Sequence, residues 1–187
     1  QVRIAVIGLG NRGQGLLDML AWLVQEGHAQ VTALADINSK KVDRALEQVA
    51  QFQSAHAPAA FTGSDAAWKE ALRPEVADLA LICTPWEWHT PMSLYAMRQG
   101  LHAASEVPIA CTAEEAVELV RTAEATKRHC IMLENCCYNG EELGLLRMIE
   151  EGVFGTLTHA ECAYLHDLRA LMLDPTYYED RWRLKHH

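Results

Sequence analysis

A glycine-rich turn near the start of the chain constrains its fold more than any other feature. Residues 2–7 form a short apolar run rich in Val and Ile, and Gly8, Gly10 and Gly13 follow in the spacing GxGxxG. Between a buried strand and a helix, Gly8 permits the tight turn, Gly10 lets the backbone approach a pyrophosphate and Gly13 allows close helix–strand packing. The helix would point unpaired N–H groups and the positive end of its dipole at the phosphates. The turn therefore predicts a dinucleotide-binding unit.

A second apolar strand, QVTALAD at residues 30–36, ends in an acidic residue. In dinucleotide-binding units such an acid lies about 20 residues beyond the glycines and binds a ribose hydroxyl. Asp36 can accept hydrogen bonds from the 2′-hydroxyl and would repel a 2′-phosphate, so we expect the cofactor to be NAD. Lys40 and Lys41 lie nearby and leave NADP as an alternative. Asp36 can also be interpreted as an acid at the N-terminus of the next helix.

The composition argues against several kinds of partner. The 187 residues carry a formal net charge of −9 and their basic residues are scattered, so we expect no nucleic-acid partner. No stretch approaches the roughly 20 apolar residues of a membrane span, so we expect no membrane partner. The sequence contains no export signal, and we expect a location in the cytoplasm or in the bacterial periplasm.

The six cysteines are interpreted as buried, reduced structural residues. Cys83, Cys111, Cys130 and Cys162 lie in or beside apolar segments, where a reduced cysteine behaves as a small hydrophobic side chain. The adjacent pair at 136–137 lacks the CxxC spacing of zinc and redox sites. No histidines have the HxH or HxxxH spacing of a metal site, so we expect no bound metal.

Apolar patterns alternate between strands and helices along the first 135 residues. They predict six strands with intervening helices, and therefore an α/β fold with a doubly wound parallel sheet. Ligands are expected at the carboxyl ends of its strands.

Beyond Asn135 the pattern changes to a helix at 141–150 and a strand with alternating apolar residues at 156–164. We predict an NAD-binding domain in residues 1–135 and the start of a substrate-binding α+β domain in residues 136–187. One or two strands cannot bury their own face, so we expect the second domain to be incomplete and the chain to be a fragment.

Local signals predict where further helices begin. Thr112 and Glu115 form a capping box that opens a long helix. Thr90 and Pro91 predict a helix with Thr90 as its cap and Pro91 as its first residue. Another helix is predicted over residues 65–72.

Three clusters follow the last three predicted strands, where a nicotinamide would lie: TPWEWH at 84–89, EVP at 106–108 and EN at 134–135. This order resembles the Gfo/Idh/MocA superfamily, which pairs an NAD(P)-binding Rossmann domain with a mostly antiparallel sheet domain that holds a sugar or polyol. Its dehydrogenases usually carry Glu-Lys-Pro after the fifth strand, and the lysine takes part in proton transfer. Val107 stands at the lysine position and can neither donate nor accept a proton, which argues against a simple dehydrogenase.

The motifs TPWEWHTP, LENCCYNGEELGLL, VFGTLTHAECAYLHDLR and RWRLKHH are similar to one branch of this superfamily, the NAD-dependent glycosidases of glycoside hydrolase family 109. α-N-Acetylgalactosaminidases typify that family, and the resemblance covers nearly all of the chain. Asn139 and Gly140 depart from the pattern, which has glycine and arginine there. The family's downstream Tyr-Pro-Thr-His-Gly segment is absent from these residues.

The resemblance implies hydrolysis by a redox-assisted elimination. NAD⁺ takes hydride from C3 of the sugar, and the resulting ketone acidifies the C2 proton. A base removes that proton, the glycosidic oxygen leaves C1, water adds, and hydride returns to C3. This route needs a base for a carbon acid rather than the two carboxylates of ordinary glycosidases.

The resemblance also implies which residues form the site. Besides Gly8, Gly10 and Gly13, those that would hold NAD are Asn11, Arg12, Asp36, Trp86, Glu87, Trp88, His89, Glu106, Val107 and Asn135. Asn11, Arg12 and Asp36 would bind the adenosine half, and the others would line the rest. Tyr164 and Arg183 would contact the substrate. Tyr164 is the favoured base for the C2 proton, and His166 would lie on the same face of the predicted strand.

Two alternatives remain: an NAD(P)-dependent sugar or polyol dehydrogenase of the same superfamily, and a non-catalytic NAD-binding fragment. The expected partner is a small glycoside substrate. A homo-oligomer that forms through the second-domain sheet is a further expectation.

Overall fold

Six parallel strands form the centre of the first of two units into which the chain divides. The computed structural model describes residues 1–174, 177 and 182–184, and the units are Gln1–Leu133 and Glu134–His187. The strands are β1 (Val2–Ile7), β2 (Ala29–Ala35), β3 (Ala59–Phe61), β4 (Leu79–Ile82), β5 (His102–Glu106) and β6 (Cys130–Leu133). They lie in the order β3-β2-β1-β4-β5-β6, and neighbouring strands pair in parallel. This confirms the predicted α/β fold with a doubly wound parallel sheet.

Helices cover both faces of this sheet. They are α1 (Asn11–Gln25), α2 (Ser39–Ala50), α3 (Trp68–Ala71), α4 (His89–Arg98) and α5 (Ala113–Thr126). Ala5 and Ile7 of β1 pack in the apolar cluster that includes residues of α3, α4 and α5, whereas Ile4 and Val6 pack in the cluster that includes residues of α1 and α2. Successive residues of a strand point to opposite faces. Burial on both faces therefore explains why the strand reads as an almost continuous apolar run.

The order of the strands reverses at β1. The chain adds β2 and β3 on one side of β1, and then β4, β5 and β6 on the other. A crevice opens at such a reversal, outside the carboxyl ends of the two central strands, and open α/β sheets bind their ligands there. The glycine turn follows β1 and the 84–89 segment follows β4, so the fold brings both predicted motifs to this crevice.

The capping box predicted for α5 is present, but two other predicted helix boundaries are wrong. The Thr112 hydroxyl accepts a hydrogen bond from the Glu115 N–H at 3.2 Å, and the Glu115 carboxylate accepts one from the Thr112 N–H at 3.2 Å. Helix α4 begins at His89 rather than at Pro91, because a 3₁₀ turn at Trp86–Trp88 leads directly into it. The first-turn position of Pro91 is tolerated, since N–H groups there have no acceptor within the helix.

The helix predicted over residues 65–72 is limited to the four residues of α3. The N–H of Ala67 donates to the carbonyl of Ser64, and the N–H of Lys69 donates to the carbonyl of Ala66. These bonds join residues three apart, which is the tighter 3₁₀ pattern and does not continue into a long helix.

The second unit contains α6 (Gly140–Glu150) and α7 (Arg169–Leu173). Helix α6 confirms the helix predicted at 141–150. The strand predicted at 156–164 is wrong, because this segment is exposed and the described part of the unit forms no strand. A strand needs a neighbour to satisfy its backbone groups, and an alternating pattern does not show whether a neighbour is present. The expected second-domain sheet, and an oligomer formed through it, stay predictions.

The cysteines are reduced, but most are less buried than expected. Cys83 and Cys130, beside or within strands of the sheet, are partly buried free thiols. The free thiols that are exposed are those of Cys111, Cys136, Cys137 and Cys162. Their expected burial is wrong because they lie in connecting segments, where a neighbouring apolar residue does not imply a packed surface.

Candidate functional site

The glycine turn after β1 packs directly against the end of β4. Gly8 has a φ angle of 86°, and a Cβ atom on it would lie 2.7 Å from the carbonyl carbon of Cys83 and 2.8 Å from the amide nitrogen of Thr84. A Cβ atom on Gly13 would collide with the carbonyl oxygen of Gly8. Glycine is therefore required at both positions. Among the described atoms, a Cβ on Gly10 would meet nothing within 4 Å, so the space beside Gly10 can admit a ligand.

Helix α1 begins at the open side of this turn. Its N-cap residue is Gly10, which offers no side-chain cap, and its first turn contains no acidic residue. Asn11, the first residue of the helix, is exposed. The N–H groups of a first helical turn lack acceptors within the helix, and the helix dipole adds partial positive charge there. This helix end therefore fits a diphosphate in both charge and hydrogen-bonding capacity.

Asp36 follows β2 directly and is bonded to the glycine turn. Its Oδ2 atom accepts a hydrogen bond from the Leu9 N–H at 2.7 Å, and its Oδ1 atom accepts one from the Asn38 N–H at 2.9 Å. These bonds hold the carboxylate on the β2 side of the crevice. An ionised carboxylate has about four acceptor sites, so the same group can also accept a bond from a ribose hydroxyl.

Arg12 and Glu106 form an ion pair at the crevice. The Nε–H of Arg12 donates to Oε1 of Glu106 at 2.7 Å. Glu106 is the last residue of β5 and is 7% exposed, whereas Arg12 lies in the first turn of α1. Since β4 lies between β1 and β5, the pair spans the end of β4. The family resemblance implied that these residues bind different halves of NAD, and the structure brings them into contact.

The tryptophans after β4 lie in the 3₁₀ turn that leads into α4. Glu87 and Trp88 are exposed there, and Trp86 is partly buried. The exposed surface of this turn follows β4 at the crevice, where it can line a ligand. Val107, after β5, is partly buried, and its peptide bond to Pro108 is cis.

His89 connects the loop after β4 to the loop after β5. Its side chain is almost fully buried, with Nδ1 at 2.7 Å from the Pro108 carbonyl oxygen and Nε2 at 2.7 Å from the Thr84 carbonyl oxygen. The hydroxyl of the next residue, Thr90, donates to the carbonyl of Ile109 at 3.0 Å. Both ring nitrogens are therefore occupied by main-chain atoms. These contacts let His89 position the loops after β4 and β5, and its predicted contact with NAD stays a prediction.

Cys83 was not predicted as a site residue, although it packs against the glycine turn. Its own Cβ lies 3.6 Å from the place that a Cβ on Gly13 would occupy. Burial raises the pKa of the Cys83 thiol, Glu106 raises it further and Arg12 opposes the rise. The thiol is therefore neutral and unreactive. Its position directly after the strand beside β1 is the signal that could have identified it.

Tyr164 and His166 lie in contact in the second unit. The hydroxyl oxygen of Tyr164 is 2.8 Å from Nδ1 of His166, and the ring centroids are 5.8 Å apart. Both side chains are exposed. The structure thus brings the two predicted catalytic residues together without the strand that was expected to align them. Asn135, at the start of this unit, is exposed and its N–H donates to Oε1 of Glu134 at 3.0 Å.

The second unit contains two further charged contacts, one at Arg183 and one between Asp167 and Arg169. The guanidinium carbon of Arg183 lies 5.9 Å from the ring centroid of Trp182, which is a cation–π distance. Asp167 and Arg169 form an ion pair at 2.6 Å, and the hydrogen bond from Arg169 lowers the pKa of the Asp167 carboxyl.

The described ranges contain neither a metal-binding cluster nor a helix suited to span a membrane. No group of three or more His, Cys, Asp or Glu residues in these ranges could hold a metal ion. No helix among the same residues is long and apolar enough to cross a membrane. The described polar groups of the crevice are instead suited to an organic ligand with phosphate and hydroxyl groups.

Comparison with known proteins identifies both parts of the chain. Residues 2–134 match the family described as "Oxidoreductase family, NAD-binding Rossmann fold", and residues 138–186 match "Glycosyl hydrolase 109, C-terminal domain". The chain belongs to the Gfo/Idh/MocA oxidoreductase family, and its first unit is an NAD-binding Rossmann domain. Within that class, its resemblance to glycoside hydrolase family 109 is confirmed.

Curated relatives match over the whole chain. A glycosyl hydrolase family 109 protein of Saccharopolyspora erythraea is 43% identical over 186 residues, which are 100% of this chain and 40% of that protein. The corresponding protein of Solibacter usitatus is 45% identical over 190 residues, covering 100% of this chain and 42% of the relative. A Shewanella oneidensis protein named alpha-N-acetylgalactosaminidase is 40% identical over 186 residues, which are 100% of this chain and 40% of that protein. This chain spans about 40% of the length of these relatives.

Solved structures share the fold. The WlbA dehydrogenase of Bordetella pertussis, in complex with NADH and UDP-GlcNAcA, has a TM-score of 0.69 at 20% identity and covers 83% of this chain and 43% of its own. A scyllo-inositol dehydrogenase of Lactobacillus casei, with bound NAD(H) and scyllo-inositol, has a TM-score of 0.72 at 17% identity. The match covers 84% of this chain and 43% of the dehydrogenase. At these identities the likeness supports the fold.

Proposed function

We propose that this chain is part of a glycosidase that hydrolyses terminal N-acetylhexosaminides, in particular α-N-acetylgalactosaminides, with bound NAD. The observation that carries the proposal is the presence in one chain of an NAD-binding Rossmann domain and a glycosyl hydrolase 109 segment. The name of the Shewanella oneidensis relative supports the choice of sugar.

The crevice residues fit the cofactor. The open space beside Gly10 and the N-terminus of α1 would take the diphosphate, and Asp36 would accept a bond from the adenosine ribose. Trp86, Glu87, Trp88 and Val107 would line the remainder, on loops that His89 positions. When bound, NAD supplies a reversible hydride acceptor for C3 of the sugar.

Val107 distinguishes this site from that of a simple dehydrogenase. A dehydrogenase must remove the proton of the hydroxyl group that it oxidises, and Val107 offers no group for that purpose at the position where related dehydrogenases carry lysine. Hydrolysis by elimination mainly requires a base that removes the C2 proton.

Tyr164 and His166 are the proposed groups for that step. A general base must lie within hydrogen-bond reach of its partner, and the 2.8 Å between the Tyr164 hydroxyl oxygen and His166 Nδ1 allows the histidine to accept the phenol proton. Tyr164 would then remove the proton from C2. Arg183 is the proposed substrate contact, and its five N–H donors suit the oxygens of a sugar or of its acetamido group.

The test uses the full-length protein and an aryl α-N-acetylgalactosaminide labelled with deuterium at C2. We expect release of the phenol without net accumulation of NADH, and loss of the deuterium to solvent. Tyr164→Phe is expected to lower kcat at least about 100-fold while NAD affinity stays unchanged. Retention of the label would contradict the elimination route. Stoichiometric NADH from a free sugar would identify a sugar or polyol dehydrogenase instead.

A further inference from the structure

The ion pair between Arg12 and Glu106 controls the direction of the basic residue in the glycine turn. Strands β1 and β4 separate β2 from β5. Neighbouring strands lie about 4.8 Å apart, so the ends of β2 and β5 are roughly 14 Å from each other. Asp36 follows β2 and Glu106 ends β5. A guanidinium held by Glu106 is therefore directed away from the ribose position beside Asp36.

NADP differs from NAD by a phosphate on the ribose hydroxyl that Asp36 is placed to bind. A guanidinium is permanently charged and can bind a phosphate through two parallel N–H groups. Arg12 is the basic residue of the GxGxxG turn, and a long flexible side chain can leave one partner for another. The residue that retains Arg12 therefore influences which dinucleotide the crevice accepts.

Burial makes the loss of its arginine partner costly for Glu106. Glu106 is 7% exposed, and its contact with Arg12 Nε is 2.7 Å long. An ionised carboxylate in such surroundings is costly unless it is paired. Release of Arg12 would leave that charge without the partner shown here, so binding a 2′-phosphate through Arg12 would carry a penalty at Glu106.

We propose that Glu106 is a specificity-determining residue for NAD over NADP, which acts by holding Arg12 on the β5 side of the crevice. The two acids then have separate effects: Asp36 repels the 2′-phosphate, and Glu106 withholds the cation that would compensate for the repulsion. This inference deepens the proposed function and rests only on its NAD-binding part.

Calorimetric titration of the full-length protein with NAD⁺ and with NADP⁺, in the absence of sugar, tests the inference. Glu106→Gln keeps the shape of the side chain and removes its charge. The ratio of the Kd for NADP⁺ to the Kd for NAD⁺ is expected to fall about tenfold, the size of a charge-assisted hydrogen bond. Addition of Arg12→Gln to this variant is expected to restore the original ratio.

Glu118→Gln is a matched control, because Glu118 also pairs with an arginine at 2.7 Å but lies on α5 with its partner on α4. The ratio is expected to stay unchanged in this variant and in Glu106→Asp, which keeps the charge. A Glu106→Gln protein that binds NAD⁺ with an unchanged ratio, or whose gain persists without Arg12, would overturn the inference. Failure of the wild-type protein to bind NAD⁺ would instead contradict the proposed function.

A second pair of variants keeps the inference testable if Glu106→Gln does not fold. With Asp36→Asn as the background, the NADP⁺ affinity is compared with and without Arg12→Gln. Equal affinities are expected, because Glu106 still holds Arg12. A severalfold loss on removal of Arg12 would show that the guanidinium already reaches the 2′-phosphate, which contradicts the inference.

Discussion

The two units of this chain differ in how deeply they bury their apolar side chains. In the first unit Val6, Leu17 and Ile82 are fully buried. In the second, Leu145 and Val153 are 51% and 59% exposed. Folding free energy comes mainly from apolar area removed from water, so the first unit supplies most of it. The NAD crevice thus rests on a well-packed support, whereas the proposed catalytic pair lies on an exposed segment.

Gly13→Ala is expected to have the largest effect on this support. The new methyl group would collide with the carbonyl oxygen of Gly8, so we expect a loss of about 5 kcal/mol or more in unfolding free energy and loss of NAD binding. Urea denaturation and calorimetry measure the two effects. Gly15→Ala is the control on the same helix, because its Cβ would meet no described atom within 4 Å. It is expected to stabilise the protein by about 0.5–1 kcal/mol.

Truncation of one leucine in each unit tests the comparison most directly. Leu17 is 0% exposed and Leu145 is 51% exposed. Leu17→Ala removes buried atoms and leaves a cavity, so it is expected to cost about 2–5 kcal/mol. Leu145→Ala is expected to cost about 0.5 kcal/mol or less. Similar losses in chemical denaturation would show that the second unit is packed as tightly as the first.

His89→Ala should have a smaller effect that combines stability and binding. Loss of the two contacts to the Thr84 and Pro108 carbonyls leaves both loops less constrained, with an expected cost of about 2 kcal/mol. NAD affinity is expected to fall with it. The exposed His166 provides the contrast: His166→Ala is expected to leave the thermal midpoint and NAD affinity unchanged while lowering glycoside hydrolysis. Wild-type NAD affinity in His89→Ala would contradict the positioning role.

The smallest effect is expected at Asp78, which pairs with Arg3 at 2.7 Å where both side chains are partly exposed. The side-chain hydrogen bond from Arg3 lowers the pKa of the Asp78 carboxyl. The pair therefore stabilises the protein above the ordinary carboxyl pKa of about 4, and this contribution disappears as the pH falls through the lowered value. Asp78→Asn is expected to cost less than about 1 kcal/mol at neutral pH.

The pH dependence of urea unfolding checks this prediction. In the wild-type protein part of the stability should be lost on acidification below about pH 4, and in Asp78→Asn that part should already be absent. The two curves are therefore expected to converge at low pH. A constant difference between them would assign the effect of the substitution to something other than charge.

Most of the first unit could be predicted from the sequence because its signals are local. Apolar runs indicated the strands, and the Thr112–Glu115 box indicated the start of α5. The strand predicted at 156–164 was wrong, because a strand depends on a neighbour that alternation does not reveal.

The contacts that define the crevice lie beyond sequence reasoning for a different reason. Arg12 and Glu106 are 94 positions apart, and they meet because β4 brings β5 next to the central strands. The burial of His89 depends on the 3₁₀ turn before α4. The Thr90-Pro91 signal predicted a later helix start and gave no indication of this turn. The sequence predicted the class of sheet but not the order of its strands, and these contacts depend on that order.

The His89 ring contacts the carbonyl oxygens of both Thr84 and Pro108, and so it couples the two loops mechanically. Two loops fastened to one ring cannot swing apart independently, so the wall they form moves as one piece or stays still.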